Sequence, residues 1–149
     1  MKRFLFPLQR VLDYRRQQED QEKGRLALLA AERTRLEHQA DRQQIESREV
    51  RAACAAATAL PAEVVRQAYE SAAALRQARE RSLELAREAE GKRLEQLGVV
   101  LEARRRVRLL ETLRHKKSLL HRRLADRELE AIAGELHLAR WQRESPKKS

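Results

Sequence analysis

The sequence predicts an all-α protein in which two long helices form an antiparallel coiled-coil hairpin with an overhanging C-terminal helix. Three observations predict this fold class. The 149 residues are 38% charged and only 3% aromatic, and they contain few prolines and glycines, a composition typical of long helices. Leucines recur at spacings of three and four residues. The chain has few large side chains, which would fill only a thin core. Each helix is therefore expected to bury one stripe of residues against the other helix.

Prolines predict where the helices begin and end. Pro7 suits the first turn of helix one, about residues 7–57, because the missing N–H of proline costs nothing there. Leu60 should lie outside a helix because it precedes a proline. Pro61 then suits the first turn of helix two, about residues 61–140.

A turn at about residues 58–61 would join the two helices into a single hairpin spanning residues 1–143. The tail, residues 144–149, is expected to be disordered. In an antiparallel pair, residues that face each other across this turn have numbers that sum to about 121, because both helices rise equally per residue.

Apolar rows predict which sides of the helices face each other. In helix one the row consists of Leu5, Leu8, Leu12, Leu26, Leu29 and Leu36. Helix two has one row of Val65, Ala68, Ala72 and Leu75 and another of Leu83, Leu94, Leu97 and Leu101. A third row in a shifted register consists of Val107, Leu110, Leu113, Leu120 and Leu124. Charged residues such as Arg33 interrupt the row of helix one at positions that should face the partner helix.

A basic stretch extends from Arg104 to Arg123, and its only acidic residue is Glu111. The formal net charge of the chain is +10, so acidic protein surfaces, nucleic acid and anionic lipid are all compatible partners. One interpretation is a solvated face whose arginine stems cover apolar surface. A second is a docking surface for acidic protein groups. Nucleic acid is the weakest interpretation, because no aromatic residue is present to stack on bases.

Motifs for chemistry are absent from the sequence. There is no glycine-rich phosphate loop, and no two histidines stand four apart as metal ligands on a helix. We therefore expect no enzymatic activity, no cofactor, no metal and no small-molecule substrate. No run of about 18 apolar residues predicts a membrane span. The single cysteine, Cys54, fits a reducing compartment, so a cytoplasmic location is expected.

Two motifs carry a resemblance to a known family. The first is the N-terminal run Phe4-x-Phe6-x-Leu8-x-x-Val11-Leu12-x-x-Arg15. The second lies in helix two, where Leu101-Glu102-Ala103-Arg104-Arg105 leads to Leu110-Glu111-x-Leu113 and then to Asp126-x-Glu128. With these motifs the chain resembles the flagellar FliJ family over nearly its whole length, and that family is similar to the YscO-type stalk proteins of injectisomes.

The resemblance implies a coiled-coil stalk of the type III export apparatus. Such a protein would bind the hexameric export ATPase and promote its assembly, contact the cytoplasmic domain of the export gate, and escort export chaperones. It would associate peripherally with the inner membrane at the flagellar base. The residues that match the family pattern near the suspected ATPase site are Phe4, Phe6, Leu8, Val11, Leu12, Arg15, Arg104, Leu110 and Leu113.

Three alternatives stay open at this point. The chain could instead be an injectisome stalk or a generic basic coiled-coil scaffold. It could also be a nucleic-acid-binding helical protein, in which case its affinity would fall steeply with salt.

Overall fold

The structure, a computed structural model, describes residues 3–144. Two long α-helices are packed together, and the described residues contain no strand. Helix α1 spans Gln9–Ala56 and helix α2 spans Ala62–Glu144.

Helix α2 is longer than the sequence predicts. It passes the predicted end near residue 140 and includes Glu144, which the sequence analysis assigned to the tail. The residues after position 134 are helix formers, and no proline occurs until Pro146, so nothing stops the helix earlier. The rest of the predicted tail, residues 145–149, lies outside the described residues.

Helix α1 begins two residues after Pro7. The N–H of Gln9 donates to the carbonyl of Phe6 at 3.1 Å, and the N–H of Leu12 donates to the carbonyl of Leu8 at 2.9 Å. Pro7 therefore lies inside a tight turn that leads into the helix, where its fixed φ is compatible and its missing donor is not needed.

Pro61 prepares the start of helix α2. Its carbonyl accepts hydrogen bonds from the N–H groups of Val64 and Val65 at 3.0 and 3.2 Å. Glu63 lies in the first turn, where a carboxylate is favourable near the positive end of the helix dipole. Its side chain also pairs with Arg66 at 2.6 Å.

The chain divides into two compact units: Gln18–Ala103, and residues 3–17 together with the described part of α2 from Arg104. In Gln18–Ala103, residues of low exposure recur in each helix at alternating spacings of three and four, and we call these rows the contact stripes. The α1 stripe contains Glu19, Glu22, Leu26, Leu29, Arg33, Leu36, Ala40, Gln43, Ser47, Val50 and Cys54. The α2 stripe contains Val65, Ala68, Ala72, Leu75, Arg79, Ser82, Ala86, Ala89, Arg93, Gln96, Val100 and Ala103.

The predicted rows of α2 are correct at their beginning and again at Val107, which is 4% exposed, but not between Leu83 and Leu101. From Leu83 onward the prediction followed the leucines, whereas the contact stripe passes through the residues one position earlier. Leu94 and Leu101 are consequently 53% and 56% exposed, while Val100 is 6% exposed. Small side chains let two helices approach closely, so alanines occupy the contact and the leucines lie beside it. The buried cluster of Leu36 with Ala86 and Ala89 illustrates this arrangement.

Polar residues of the contact stripes pair between the two helices. Arg33 donates to Glu90 at 3.0 Å, Ser82 donates to Gln43 at 3.0 Å, and the hydroxyl of Ser47 donates to the carbonyl of Ala72 at 3.1 Å. Ser47 and Ser82 are buried, so these hydrogen bonds replace bonds to water that their hydroxyls lose on packing. The charged residues that interrupt the apolar row of α1 are therefore part of the packing.

The carboxylate of Glu90 is the centre of the most connected of these pairs. Arg93 donates two hydrogen bonds to it at 2.8 Å, and Arg33 approaches from α1. The hydrogen bond from Arg93 is the largest cause that holds the pKa of Glu90 at about 2, well below its ordinary value of 4.5, and the charge of Arg33 adds to it. The contact with Glu90 raises the pKa of Arg93. The pKa of Arg33 is also raised, chiefly by its hydrogen bond to Glu37 and to a smaller extent by the charge of Glu90.

Candidate partner-binding surface

The N-terminal segment packs closely although residues 3–6 are not helical. Phe6 is 7% exposed, and Leu12, in the first turns of α1, is completely buried. The ring of Phe4 lies 5.6 Å from the ring of His121 on α2, tilted by 58°, a geometry that aromatic pairs favour. The family-like N-terminal motif therefore lies against the basic part of α2 within one unit.

One expectation for this segment is wrong. Leu5 was placed in the buried row of helix one, but it is 79% exposed. Helical spacing does not apply at this position because α1 begins only at Gln9. Two other residues of this segment are also accessible: Val11 is 42% exposed, and Arg15 is half-buried with its guanidinium 6.0 Å from the ring centre of Tyr14.

Helix α2 supplies the rest of the suspected ATPase site. Leu110 is half-buried, Leu113 is 36% exposed, and Arg104 is exposed. The structure places all nine suspected residues in the same unit. Those that are buried or half-buried and contribute to packing include Phe6, Leu8, Leu12 and Leu110. Those that are exposed and accessible to a partner are Val11, Arg104 and Leu113.

One buried residue of this region was predicted and one contact was missed. Val107 is 4% exposed, as its place in the apolar row of helix two predicts. The ring of His121 packs against Phe4, a contact that the sequence analysis did not predict because no spacing pattern points to it.

The basic stretch presents its charges to solvent. Its nine cationic residues are all exposed: Arg104, Arg105, Arg106, Arg108, Arg114, Lys116, Lys117, Arg122 and Arg123. Glu111, its one acidic residue, pairs with Arg16 of α1 at 2.7 Å, with both side chains nearly half exposed. Such a surface pair contributes little stability, but it engages the only carboxylate of the stretch.

The distal part of α2 is exposed throughout. Ala125, at 8% exposure, is the last buried residue, and every residue from 126 to 143 is exposed. Large apolar side chains in this segment are more than half exposed: Leu129, Ile132, Leu136, Leu138 and Trp141. An apolar helix surface of this kind is typical of a partner-binding segment.

Comparisons with known proteins do not add to this description, since no protein-family model, curated protein or solved structure matches the chain. Within residues 3–144 no three histidine, cysteine, aspartate or glutamate side chains are grouped to hold a metal ion. In the same part of the chain, neither helix contains a stretch that is long and apolar enough to span a membrane.

Proposed function

We propose that this chain is a coiled-coil stalk of the flagellar type III export apparatus. It binds the export ATPase ring, promotes hexamer formation, contacts the export gate and escorts export chaperones. It resides in the cytoplasm and associates peripherally with the inner membrane. The observation that carries the proposal is the contact between Phe4 and His121. This contact brings the family-like N-terminal motif and the arginine-rich part of α2 together in one unit.

The proposal includes an antiparallel coiled-coil hairpin. Between Gln18 and Ala103, the hydrogen-bond partners on α2 have lower residue numbers as the residue numbers on α1 become higher. The pairs are Glu22 with Gln96, Arg33 with Glu90, Gln43 with Ser82, and Ser47 with Ala72. This order supports antiparallel helices, and the alternating spacing of the contact stripes supports coiled-coil packing.

A cross-linking experiment tests the hairpin. With Cys54 replaced by alanine, the double variant Ser47→Cys/Ala72→Cys should form an intramolecular disulfide, because these positions are in contact. Moving the second cysteine to the exposed neighbour, Ala73→Cys, should strongly reduce this product. A disulfide-linked dimer as the main product would contradict an intrachain hairpin.

A stimulation experiment tests the proposed function. The chain should increase both the hexamer fraction and the hydrolysis rate of the cognate export ATPase. Val11→Ser and Arg104→Glu should reduce this effect because both residues are exposed and belong to the suspected site. Matched controls are Val64→Ser, at 43% exposure, and Arg87→Glu, which is also exposed. An unchanged ATPase in the presence of the unaltered chain would refute the stalk function.

A further inference from the structure

We propose that the basic part of α2 binds anionic lipid membranes directly, with a row of leucines inserted at the lipid–water interface. The row, which we call the leucine row, consists of Leu109, Leu113, Leu120 and Leu124. Their exposed fractions are 65%, 36%, 57% and 58%. At 3.6 residues per turn the four side chains fall within a sector of about 60°, so they form one continuous apolar line along the helix.

Cationic side chains flank the leucine row on both sides. One edge of the row is flanked by Arg105, Lys116 and Arg123, whose directions around the helix axis lie about 20–40° outside the leucine sector. The other edge is flanked by Lys117. All four are exposed. This arrangement suits an interfacial helix, in which leucines enter the acyl boundary while long basic side chains extend to the lipid phosphates.

The same face contains no acidic group between residues 104 and 123. Glu111 lies on nearly the opposite side of α2 from the leucine row, where it pairs with Arg16. The buried residues Val107 and Ala125 mark the side of α2 that is already covered, and that side is about 130° away from the row. The leucine row is therefore outside the packing of this unit, and no carboxylate lies on its face between residues 104 and 123.

Charge complementarity and apolarity together favour a membrane over other anionic partners. Nucleic acid would use the cations but not the leucines, and the stretch has no aromatic residue for base stacking. An acidic protein loop would likewise leave the leucines in water. A bilayer with anionic headgroups uses both features at once. The inference deepens the proposed peripheral association with the inner membrane and in that part rests on the proposed function, but vesicle binding by the chain alone tests it separately from the effect on the ATPase.

Vesicle sedimentation with the full chain tests this proposal. The chain should bind vesicles of 30% phosphatidylglycerol in phosphatidylethanolamine and should not bind pure phosphatidylcholine. Each cation near the surface contributes roughly fivefold in affinity. The double variant Arg105→Glu/Arg123→Glu should therefore bind at least about twentyfold more weakly. The control Arg48→Glu/Arg87→Glu makes the same change in net charge at two exposed positions within Gln18–Ala103. This control should bind the anionic vesicles much more tightly than Arg105→Glu/Arg123→Glu.

The leucine row is tested separately from charge. Replacing Leu109, Leu120 and Leu124 by serine should reduce vesicle binding by about tenfold or more. The matched control replaces Leu28, Leu85 and Leu94, which are also at least half exposed, and should bind like the unaltered chain. Leu113 is left unchanged because it belongs to the suspected ATPase site. Circular dichroism verifies that each variant is folded.

Insertion has its own readout. In a Trp141→Phe background, Leu120→Trp should show blue-shifted fluorescence with anionic vesicles and quenching by brominated lipids. Three results would overturn the proposal. The first is no binding to anionic vesicles, and the second is vesicle binding that the serine substitutions leave unchanged. The third is tighter binding to duplex DNA or to an acidic peptide than to vesicles, with an affinity that the serine substitutions also leave unchanged.

Discussion

The close contact at Ala72 leads to a quantitative prediction about how the two helices pack. Ala72 is completely buried, and its carbonyl accepts a hydrogen bond from Ser47 at 3.1 Å. Ala72→Leu adds three carbon atoms at a point where α1 leaves no space. Overpacking of this kind costs about 2 kcal/mol, which corresponds to a roughly thirtyfold shift toward the unfolded state.

The adjacent residue provides a matched control. Ala73 is exposed, so Ala73→Leu makes the same chemical change on the same helix without a clash. Leucine and alanine have similar helix propensities, so this variant should change stability by only a few tenths of a kcal/mol.

Urea unfolding followed by circular dichroism measures the difference. For a chain of this size, with a slope near 2 kcal/mol per molar urea, the midpoint of Ala72→Leu should lie about 1 M below that of Ala73→Leu. Equal midpoints for the two variants would refute the packing of α1 against this side of α2. A lower midpoint for Ala73→Leu would indicate that the contact stripe is displaced by one residue.

Two further predictions concern an ion pair and a buried leucine. Arg93 and its neighbours hold the pKa of Glu90 at about 2, so the stability from its charged form is complete above about pH 4.5 and is lost as the pH falls toward 2. Glu90→Gln should flatten that part of the stability–pH curve, whereas Glu88→Gln on the exposed side should not. Identical curves for the two variants would contradict the pairing of Glu90. Leu12→Ala should cost about 3 kcal/mol because the side chain is completely buried. Leu109→Ala, at 65% exposure, should cost under about 0.5 kcal/mol, and equal urea midpoints would disprove the difference.

Proline made the helix boundaries predictable. Pro7 and Pro61 each lie within two residues of a helix start, because a residue without an N–H and with a fixed φ has few favourable positions in a helical chain. The end of α2 was predicted about four residues too early. Helix-forming residues continue from residue 140 to Glu144, and Pro146 is the first residue that disfavours a helix.

The contact stripe of α2 could not be predicted from hydrophobicity. Ala86, Ala89 and Ser82 have small side chains that contribute little to an apolar pattern, whereas Leu94 and Leu101 dominate it. Packing favours the small residues because they permit a short distance between the helices. The reverse holds near the N-terminus, where Leu12 was placed in the apolar row of helix one and is completely buried.

The suspected partner-binding residues all lie in one unit, and they differ in exposure. Sequence resemblance selected both Leu12 and Val11, whereas the apolar row contains only Leu12, and in the structure the leucine is buried and the valine is 42% exposed. The pairing of His121 with Phe4 depends on a turn and a non-helical segment, so no periodic pattern contains it.

The small and polar side chains of the contact stripes also determine how the protein responds to temperature. Exposure of apolar surface is what gives unfolding its large positive heat capacity change, typically 12–15 cal/mol/K per residue. A contact formed largely by alanine, serine and paired charges exposes less apolar surface when it separates. The stability curve should therefore be shallow, so that the folded state loses little stability on cooling and melts over a wide range of temperature.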